Sequence, residues 1–186
     1  MFAETVYDDI AYGPKNFGYK GDALMEAVKK SFELVGLDFD RFKDRSPHTL
    51  SGGEARLAAI AGGIASNKDI IIMDEPSEEL DFSGRLRIKT IVEKLANDEK
   101  TVLLISHDSD FLFEVCDYLM LWQNSSVDFQ KKFDMYDKSD IFENTQVEMP
   151  KILQFANRLQ LLPDFKASGI SALTDIHSIL PSKNRF

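Results

Sequence analysis

Two neighbouring carboxylates, Asp74 and Glu75, directly follow the apolar run 70–73. Because the side chains of adjacent residues diverge, one carboxylate can hold a hydrated Mg²⁺ ion while the other orients and deprotonates an attacking water. Residues 69–81 contain six acids and no base, and such crowding is costly unless a cation or a basic partner offsets it. The alternative interpretation is an ordinary solvated acidic turn.

A second group of residues, Ser51–Glu54, combines a helix cap with a pair of glycines. Ser51 and Glu54 have the S-x-x-E spacing of a capping box and precede an apolar helical stretch. Gly52 and Gly53 allow close approach of an anion, which the N–H groups and the positive end of the helix attract. The sequence is therefore compatible with a phosphate site, and equally with a helix that is only well capped.

Two further side chains have settings that bear on chemistry. His107 follows the apolar run 101–105 and precedes Asp108, so it could donate to a phosphate oxygen or position a water. A hydrogen-bonded structural histidine is the alternative. Cys116 lies among apolar residues and is expected to be a small core residue.

Hydrophobic periodicity predicts that the residues up to 66 are helical. Helices are expected over 5–12 and 23–35. Gly13-Pro14 should end the first, because proline lacks an N–H and restricts the residue before it. Asp22 and Gly36 are expected to cap the two ends of the second.

From residue 69 the pattern alternates between apolar runs and helical spacing. It predicts a strand, helix, strand, helix and strand over 70–73, 85–97, 101–105, 108–115 and 118–122. This order predicts a parallel sheet with right-handed crossovers, in which the first two strands are buried on both faces. Ligands bind at the carboxyl ends of such strands, where Glu75 and His107 fall. The stretch 123–126 begins a less regular tail, with helices predicted over 149–162, Pro150 in its first turn, and 174–180.

Composition excludes several classes of protein. The 186 residues carry 22 basic and 31 acidic side chains, a net charge of −9, which argues against broad nucleic-acid binding. The single cysteine excludes an intramolecular disulfide and a multi-cysteine metal site. The sequence contains no run of 18 apolar residues, so it predicts no membrane span. Its acidic start lacks the basic region of a signal peptide.

The order of these motifs resembles that of ABC-type ATPases. LSGGE at 50–54 is similar to the ABC signature, and IIIMDEP at 70–76 to the Walker B strand with its catalytic glutamate. SEELD at 77–81 is similar to the D-loop, and SHD at 106–108 to the switch-histidine loop. The resemblance implies the cofactors ATP and Mg²⁺, with Asp74 as the metal ligand. It implies catalytic roles for Glu75 and His107, and nucleotide contacts from Ser51, Gly52, Gly53, Glu54 and Asp81.

The flanking segments resemble energy-coupling factor (ECF) transporter ATPases. FAETVYDDIAYGPKNFG at 2–18 is similar to the segment of that family that receives a transmembrane coupling subunit. FENTQVEMPKILQFANRL at 142–159 is similar to its C-terminal region, which contributes to pairing of two ATPase subunits. The implied partners are a second ATPase subunit, identical or not, and a coupling subunit that meets Glu4, Asp8 and Asp9. The implied location is peripheral, at the cytoplasmic face of the cell membrane, in the import of a vitamin or a metal ion.

Some positions depart from the family pattern. Glu54 occupies the position where glutamine is commoner in the family, and Leu57 the position where arginine is usual. Glu78 and Glu79 replace smaller residues. No G-x-x-x-x-G-K-[ST] phosphate loop occurs in the sequence.

By comparison with the family, the N-terminal portion with the P-loop is expected to be missing. The expected fold class is therefore α/β, a partial P-loop NTPase-like ABC core with a small α-rich C-terminal extension. The expected divisions are a helical signature subdomain at 1–66, a partial nucleotide-binding core at 67–126 and an extension, with a possible dimerisation region, at 127–186. Such a chain could complete only a partner's site. A non-catalytic docking module and a non-functional gene fragment are the alternatives.

Overall fold

The computed structural model describes residues 3–78, 80–123, 126–136, 142, 145 and 147–160. The chain forms two compact units, Met1–Ser106 and His107–Phe186, which are described separately. The divisions expected at residues 66 and 126 stay predictions. The helix predicted over 174–180 lies outside the described residues.

The first unit begins with helices that pack into one apolar core. They are α1 (Val6–Asn16), α2 (Gly21–Val35), α3 (Phe39–Phe42) and α4 (Gly52–Ile64), with a 3₁₀ turn at Pro47–Thr49 before α4. Helices α1, α2 and α4 contact one another. Their most deeply buried side chains include Val6, Ile10, Val28, Phe32 and Ala61. This helical group holds the start of α4 in place.

The prediction that Gly13-Pro14 ends α1 is wrong, since the helix continues to Asn16 with Pro14 inside it. Gly13 has no Cβ, so the usual clash between a proline ring and the preceding side chain is reduced. A Cβ on Gly13 would also lie 3.0 Å from the Ser66 hydroxyl. Glycine therefore serves both the helix and its close contact with the end of α4.

Of the two predicted caps of α2, the C-terminal one is confirmed and the N-terminal one is wrong. Gly36 ends the helix in the left-handed conformation, with φ of 74°, as expected for a glycine cap. Lys20 rather than Asp22 occupies the N-cap position and makes no side-chain cap hydrogen bond. Asp22 lies in the first turn, where its negative charge still favours the helix dipole.

The rest of the first unit is a strand–helix–strand element: β1 (Ile70–Asp74), α5 (Phe82–Asn97) and β2 (Thr101–Ile105). The two strands are parallel, and Ile70 pairs with Thr101 while Asp74 pairs with Ile105. The expectation that they are buried on both faces is wrong. Ile71 and Met73 are buried, whereas Ile70 and Ile72 are 66% and 64% exposed. One face of this small sheet packs on the unit's core, and the other is not covered by described residues.

The second unit contains α6 (Ser109–Val115), β3 (Tyr118–Gln123), β4 (Ser126–Lys131), a 3₁₀ turn (Lys132–Tyr136) and α7 (Lys151–Gln160). The predicted third parallel strand is present as β3, but its pairing differs from the prediction. Among the described residues, β3 pairs with β4 in an antiparallel hairpin that forms a separate sheet. β4 itself was not predicted.

The core of the second unit gathers side chains from α6, the 3₁₀ turn and α7, together with Phe142. They are Phe113, Met135, Phe142, Leu153 and Ala156. The inner face of the hairpin packs against this core through Leu119 and Leu121. Pro150 precedes α7, and its carbonyl accepts from the N–H groups of Leu153 and Gln154.

Cys116 is half-buried, and its burial raises the pKa of the thiol. Within the described parts of the chain, no helix has the length and apolar character needed to cross a membrane.

The different conformations of Gly36 and Gly63 predict different effects when each residue is replaced by alanine. Gly36→Ala should lower the free energy of unfolding by about 1 kcal/mol, because a Cβ is disfavoured at its positive φ. The control Gly63→Ala lies in α4, where a Cβ meets nothing within 4 Å, and should leave stability unchanged or raise it by up to about 1 kcal/mol. Urea unfolding followed by circular dichroism measures both. An equal loss in the two variants would contradict the assignment.

Candidate functional site

The start of α4 is held by the predicted capping box. The Ser51 hydroxyl accepts from the Glu54 N–H at 3.3 Å, and Glu54 Oε2 accepts from the Ser51 N–H at 2.8 Å. The Ser51 hydroxyl also donates to the same Oε2 at 2.9 Å. These bonds lower the pKa of Glu54, with the backbone bond from Ser51 as the largest cause. At neutral pH the box is therefore closed around an ionised carboxylate.

Gly52 and Gly53 occupy the first two helical positions of α4 and are exposed. Neither has a positive φ, and a Cβ at either position would meet nothing within 4 Å. The N–H groups of Glu54 and Ala55 are bonded to Ser51, while those of the two glycines have no acceptor among the described residues. Nothing within the described fold therefore requires glycine here, and alanine would be the better helix former at both positions.

A concave surface of about 490 Å³ lies beside these glycines. Gly52 and Gly53 line one side, and Glu78 and Leu80, from the loop after β1, line another. Arg56, on α4, adds a positive charge to the wall. The structure thus brings together the glycine pair and the residues just before Asp81.

Asp81 caps the start of α5, and its side chain accepts from the Gly84 N–H at 2.7 Å. A Cβ on Gly84 would lie 2.9 Å from the Leu80 Cβ, which is too close for any other residue without movement. Gly84 therefore allows Leu80 and Asp81 to fold tightly against the first turn of α5.

Glu75 is held at the carboxyl end of the parallel sheet. Its N–H donates to the Ile105 carbonyl at 2.8 Å, and its Oε2 accepts from the Ser106 hydroxyl at 2.7 Å. The backbone of Glu75 has φ of 45°, a conformation that is uncommon for a residue with a side chain. Such a strained conformation persists where the surrounding structure holds it. In this conformation the chain turns sharply after β1.

Asp74 and His107 are both exposed. Asp74 ends β1, and His107 directly follows Ser106. Over the described ranges, no group of three or more His, Cys, Asp or Glu side chains is arranged to hold a metal ion. Among the described acids of residues 69–81, Asp74 is the one that lies at the carboxyl end of β1 itself.

The acids expected to meet a coupling subunit lie at the start of α1. Asp8 accepts from Thr5 at 2.8 Å and from Lys15 at 3.2 Å, and these hydrogen bonds lower its pKa, that from Thr5 most. Asp9 accepts from the Ala3 N–H at 3.3 Å, and Glu4 is exposed. Both aspartates therefore also stabilise the first turn of the helix.

Comparison with known proteins identifies the family. The family model described as ABC transporter matches residues 3–78. The energy-coupling factor transporter ATP-binding protein EcfA2 of Clostridium acetobutylicum is 33% identical over 185 residues, covering 98% of this chain and 63% of that protein. The chain belongs to the ABC transporter family. The sequence-based recognition of an ECF-type ABC ATPase is thereby confirmed.

Solved structures confirm the predicted fold class of this ABC chain. The structure of cbiO1 from Clostridium perfringens, described as part of the ABC transporter complex cbiONQ, has a TM-score of 0.66 at 23% identity. The match covers 84% of this chain and 62% of the cbiO1 chain. The dimeric structure of MJ0796, a bacterial ABC transporter cassette, has a TM-score of 0.60 at 25% identity. This match covers 69% of this chain and 56% of the MJ0796 chain. The chain spans about three fifths of the length of the first curated relatives that it matches.

Sequence reasoning missed one contact of this ABC chain. Ser106 appeared only as part of SHD, yet its hydroxyl is the hydrogen-bond partner of Glu75. The two residues are 31 positions apart, so only the register of β1 and β2 could have revealed the contact.

The lowered pKa of Glu54 predicts a local effect of pH. Because the folded pKa is lowered, the capping box contributes stability above the unfolded pKa of about 4.3, and the contribution is lost as pH falls through the folded value. Amide exchange at Ser51 should therefore accelerate, relative to intrinsic exchange, at low pH.

The variant Glu54→Gln is the control for this measurement. It should remove the pH dependence at the Ser51 amide while leaving that at Asp8 intact, as followed by NMR. An unchanged pH profile in this variant would contradict the role of the Glu54 carboxylate.

Proposed function

We propose that this chain is the ATP-binding and ATP-hydrolysing part of an ECF-type ABC importer, which couples hydrolysis to uptake of a vitamin or a metal ion. The observation that carries the proposal is the glycine pair. Gly52 and Gly53 lie at an exposed, capped helix start, where nothing in the described fold requires glycine. Close approach of an external anion accounts for both residues and for the unbonded N–H groups.

Ser51, Gly52 and Gly53 are proposed to contact the terminal phosphate of ATP. The phosphate cradle itself would come from residues outside this sequence, which has no G-x-x-x-x-G-K-[ST] motif. The Ser51 hydroxyl donates to Glu54 in the structure, so it must leave that carboxylate before it can donate to a phosphate. The negative charge of Glu54 also opposes phosphate binding, which predicts weaker affinity than with the usual glutamine.

Asp74, Glu75 and His107 are each proposed to take part in hydrolysis. Glu75, oriented by Ser106, would accept a proton from the attacking water. Asp74 would hold Mg²⁺, which when bound neutralises charge on the phosphates. His107 would donate to a phosphate oxygen.

A second ABC ATPase subunit is the proposed partner at the signature. Asp81 and the concave surface beside Gly53 would face that subunit, since the glycines and the loop before Asp81 line the same concave surface. The two chains would then contribute different parts of each nucleotide site.

A transmembrane coupling subunit is the second proposed partner. It would meet α1, where Glu4, Asp8 and Asp9 supply negative charge and Tyr12 and Phe17 expose aromatic surface. A basic, amphipathic helix is the matching chemistry. This contact would hold the chain peripherally at the cytoplasmic face of the membrane.

The alternative is a non-catalytic docking module that completes a partner's site. The absence of a phosphate-loop motif from these residues favours it. The two functions differ in whether the Glu75 carboxylate of this chain is required for hydrolysis by the assembled complex. Binding of ATP-Mg²⁺ with ordinary affinity would contradict the dependence on an external cradle, while hydrolysis only in the assembled complex would support the composite site.

The glycine pair predicts a separation of stability from activity. Gly53→Ala should leave the free energy of unfolding unchanged or slightly higher, because the Cβ meets open space. It should reduce ATP hydrolysis by the assembled complex by about 100-fold, because the methyl group blocks close approach of a phosphate. Gly63→Ala, in the same helix, is the matched control and should retain activity. Equal activities would contradict the proposal.

The role of Glu75 predicts a second loss of activity. Glu75→Gln should reduce hydrolysis by the assembled complex by about 10²–10⁴-fold, because the amide cannot accept the proton, while ATP binding is retained. Single-turnover hydrolysis and equilibrium nucleotide binding measure the two effects. Glu93→Gln, an exposed carboxylate on α5, is the control. Unchanged turnover in Glu75→Gln would remove Glu75 from the mechanism.

A further inference from the structure

Arg56, on α4, is half-buried and lines the concave surface beside the glycine pair. It follows Gly52 by four residues and Gly53 by three, so the three residues lie on one face of the helix. The next two residues, Leu57 and Ala58, are buried in the core instead. Arg56 is therefore the charged residue through which α4 borders this surface.

The guanidinium of Arg56 differs from those of the two arginines that precede α4. Arg45 donates to the Thr49 carbonyl at 2.7 Å and lies over the ring of Phe42. Arg41 also lies over this ring. Arg56, by contrast, makes no hydrogen bond or ion pair within the described parts of the chain. Its N–H groups can only donate, so they are available to a ligand that brings acceptors.

Two carboxylates oppose the approach of an anion to the glycine pair. Glu54 lies in the first turn of α4 and is ionised at neutral pH, because its hydrogen bonds from Ser51 lower its pKa. Glu78 lines the concave surface itself. Apart from His48, the other ionisable residue that lines this surface is Arg56. Since like charges repel, an anion here needs a cation on the same surface, and Arg56 supplies it.

We propose that Arg56 binds the phosphate that approaches Gly52 and Gly53, and that its charge offsets the repulsion from Glu54. The inference rests on the proposed function, from which the phosphate ligand is taken, and it adds a residue for which the family resemblance implied no role. A planar guanidinium can donate two parallel hydrogen bonds to phosphate oxygens, which a lysine cannot.

NMR titration of the 186-residue chain with inorganic phosphate, at constant ionic strength, tests the binding. The amide signals of Gly52 and Gly53 should shift. Arg56→Ala should weaken the binding at least about fivefold, because a charge-assisted contact is lost, and Arg56→Lys should recover only part of it. Arg87→Ala, which changes an exposed arginine of α5, is the matched control and should bind like the unchanged chain. Absence of the shifts, or equal binding by Arg56→Ala and the unchanged chain, would overturn the proposal.

The variant Glu54→Gln separates a direct contact of Arg56 with phosphate from an indirect effect. Glutamine can keep the capping box but carries no charge, so this variant should bind phosphate several-fold more tightly. Adding Arg56→Ala should return the affinity towards that of the unchanged chain, because the lost attraction and the lost repulsion oppose each other. If Arg56→Ala had no effect in the Glu54→Gln chain, Arg56 would act only through Glu54, and the proposed contact would be overturned.

The same contact predicts an effect on hydrolysis by the assembled complex. Arg56→Ala should raise the KM for ATP several-fold and change kcat less, because the contact contributes to binding before the chemical step. Circular dichroism checks that the variant is folded, which is expected because alanine favours a helix. A KM that Arg56→Ala leaves unchanged would overturn the proposal.

These outcomes can be told apart from those of the proposed function. Weaker phosphate binding by Arg56→Ala, in a chain whose complex is insensitive to Gly53→Ala, would contradict the proposed function alone. Loss of hydrolysis in Gly53→Ala, with phosphate binding and KM unchanged in Arg56→Ala, would overturn only the role of Arg56.

Discussion

The parallel pairing of β1 with β2 is the constraint on which the proposed roles of Asp74 and Glu75 in hydrolysis depend. It sets Asp74 opposite Ile105, and the next N–H, that of Glu75, bonds to the Ile105 carbonyl. Glu75 then meets the hydroxyl of Ser106. A slip of one residue would move every side chain of a strand to the other face of the sheet and separate this pair. The chemistry at the end of β1 is therefore only as well defined as the strand register.

Glycines in this chain fall into two groups with different physical reasons. Gly36 adopts a positive φ, and Gly13 and Gly84 lie where a Cβ would collide with a neighbour. The fold needs glycine at these positions. Gly52 and Gly53 satisfy neither condition and still occupy the first turn of α4, where they weaken the helix. The fold therefore explains the first group and leaves Gly52 and Gly53, like Gly63, without a structural requirement for glycine.

Some local features were predictable from the sequence, although the predicted end of α1 at Gly13-Pro14 and the predicted N-cap of α2 at Asp22 were wrong. Features that depend on distant partners were missed. The capping box of Ser51 and Glu54 spans three residues, so its spacing alone predicted its geometry. β4 was missed because Ser126–Lys131 carries only a weak alternation and follows a polar turn. The apolar composition of β1 predicted burial on both faces, but burial also requires a covering layer, which composition does not report. The predicted strands and motif order nevertheless led to the correct family and fold class.

The outer face of the β3–β4 hairpin has one more consequence. It carries Trp122, the only tryptophan of the sequence, which is 79% exposed and pairs with Val127 across the hairpin. Indole emission depends on the polarity around the ring, so the native chain contains an optical reporter confined to its second unit. Any molecule that covers this face would shift that emission to shorter wavelength, without a label and without interference from a second fluorophore of the same kind.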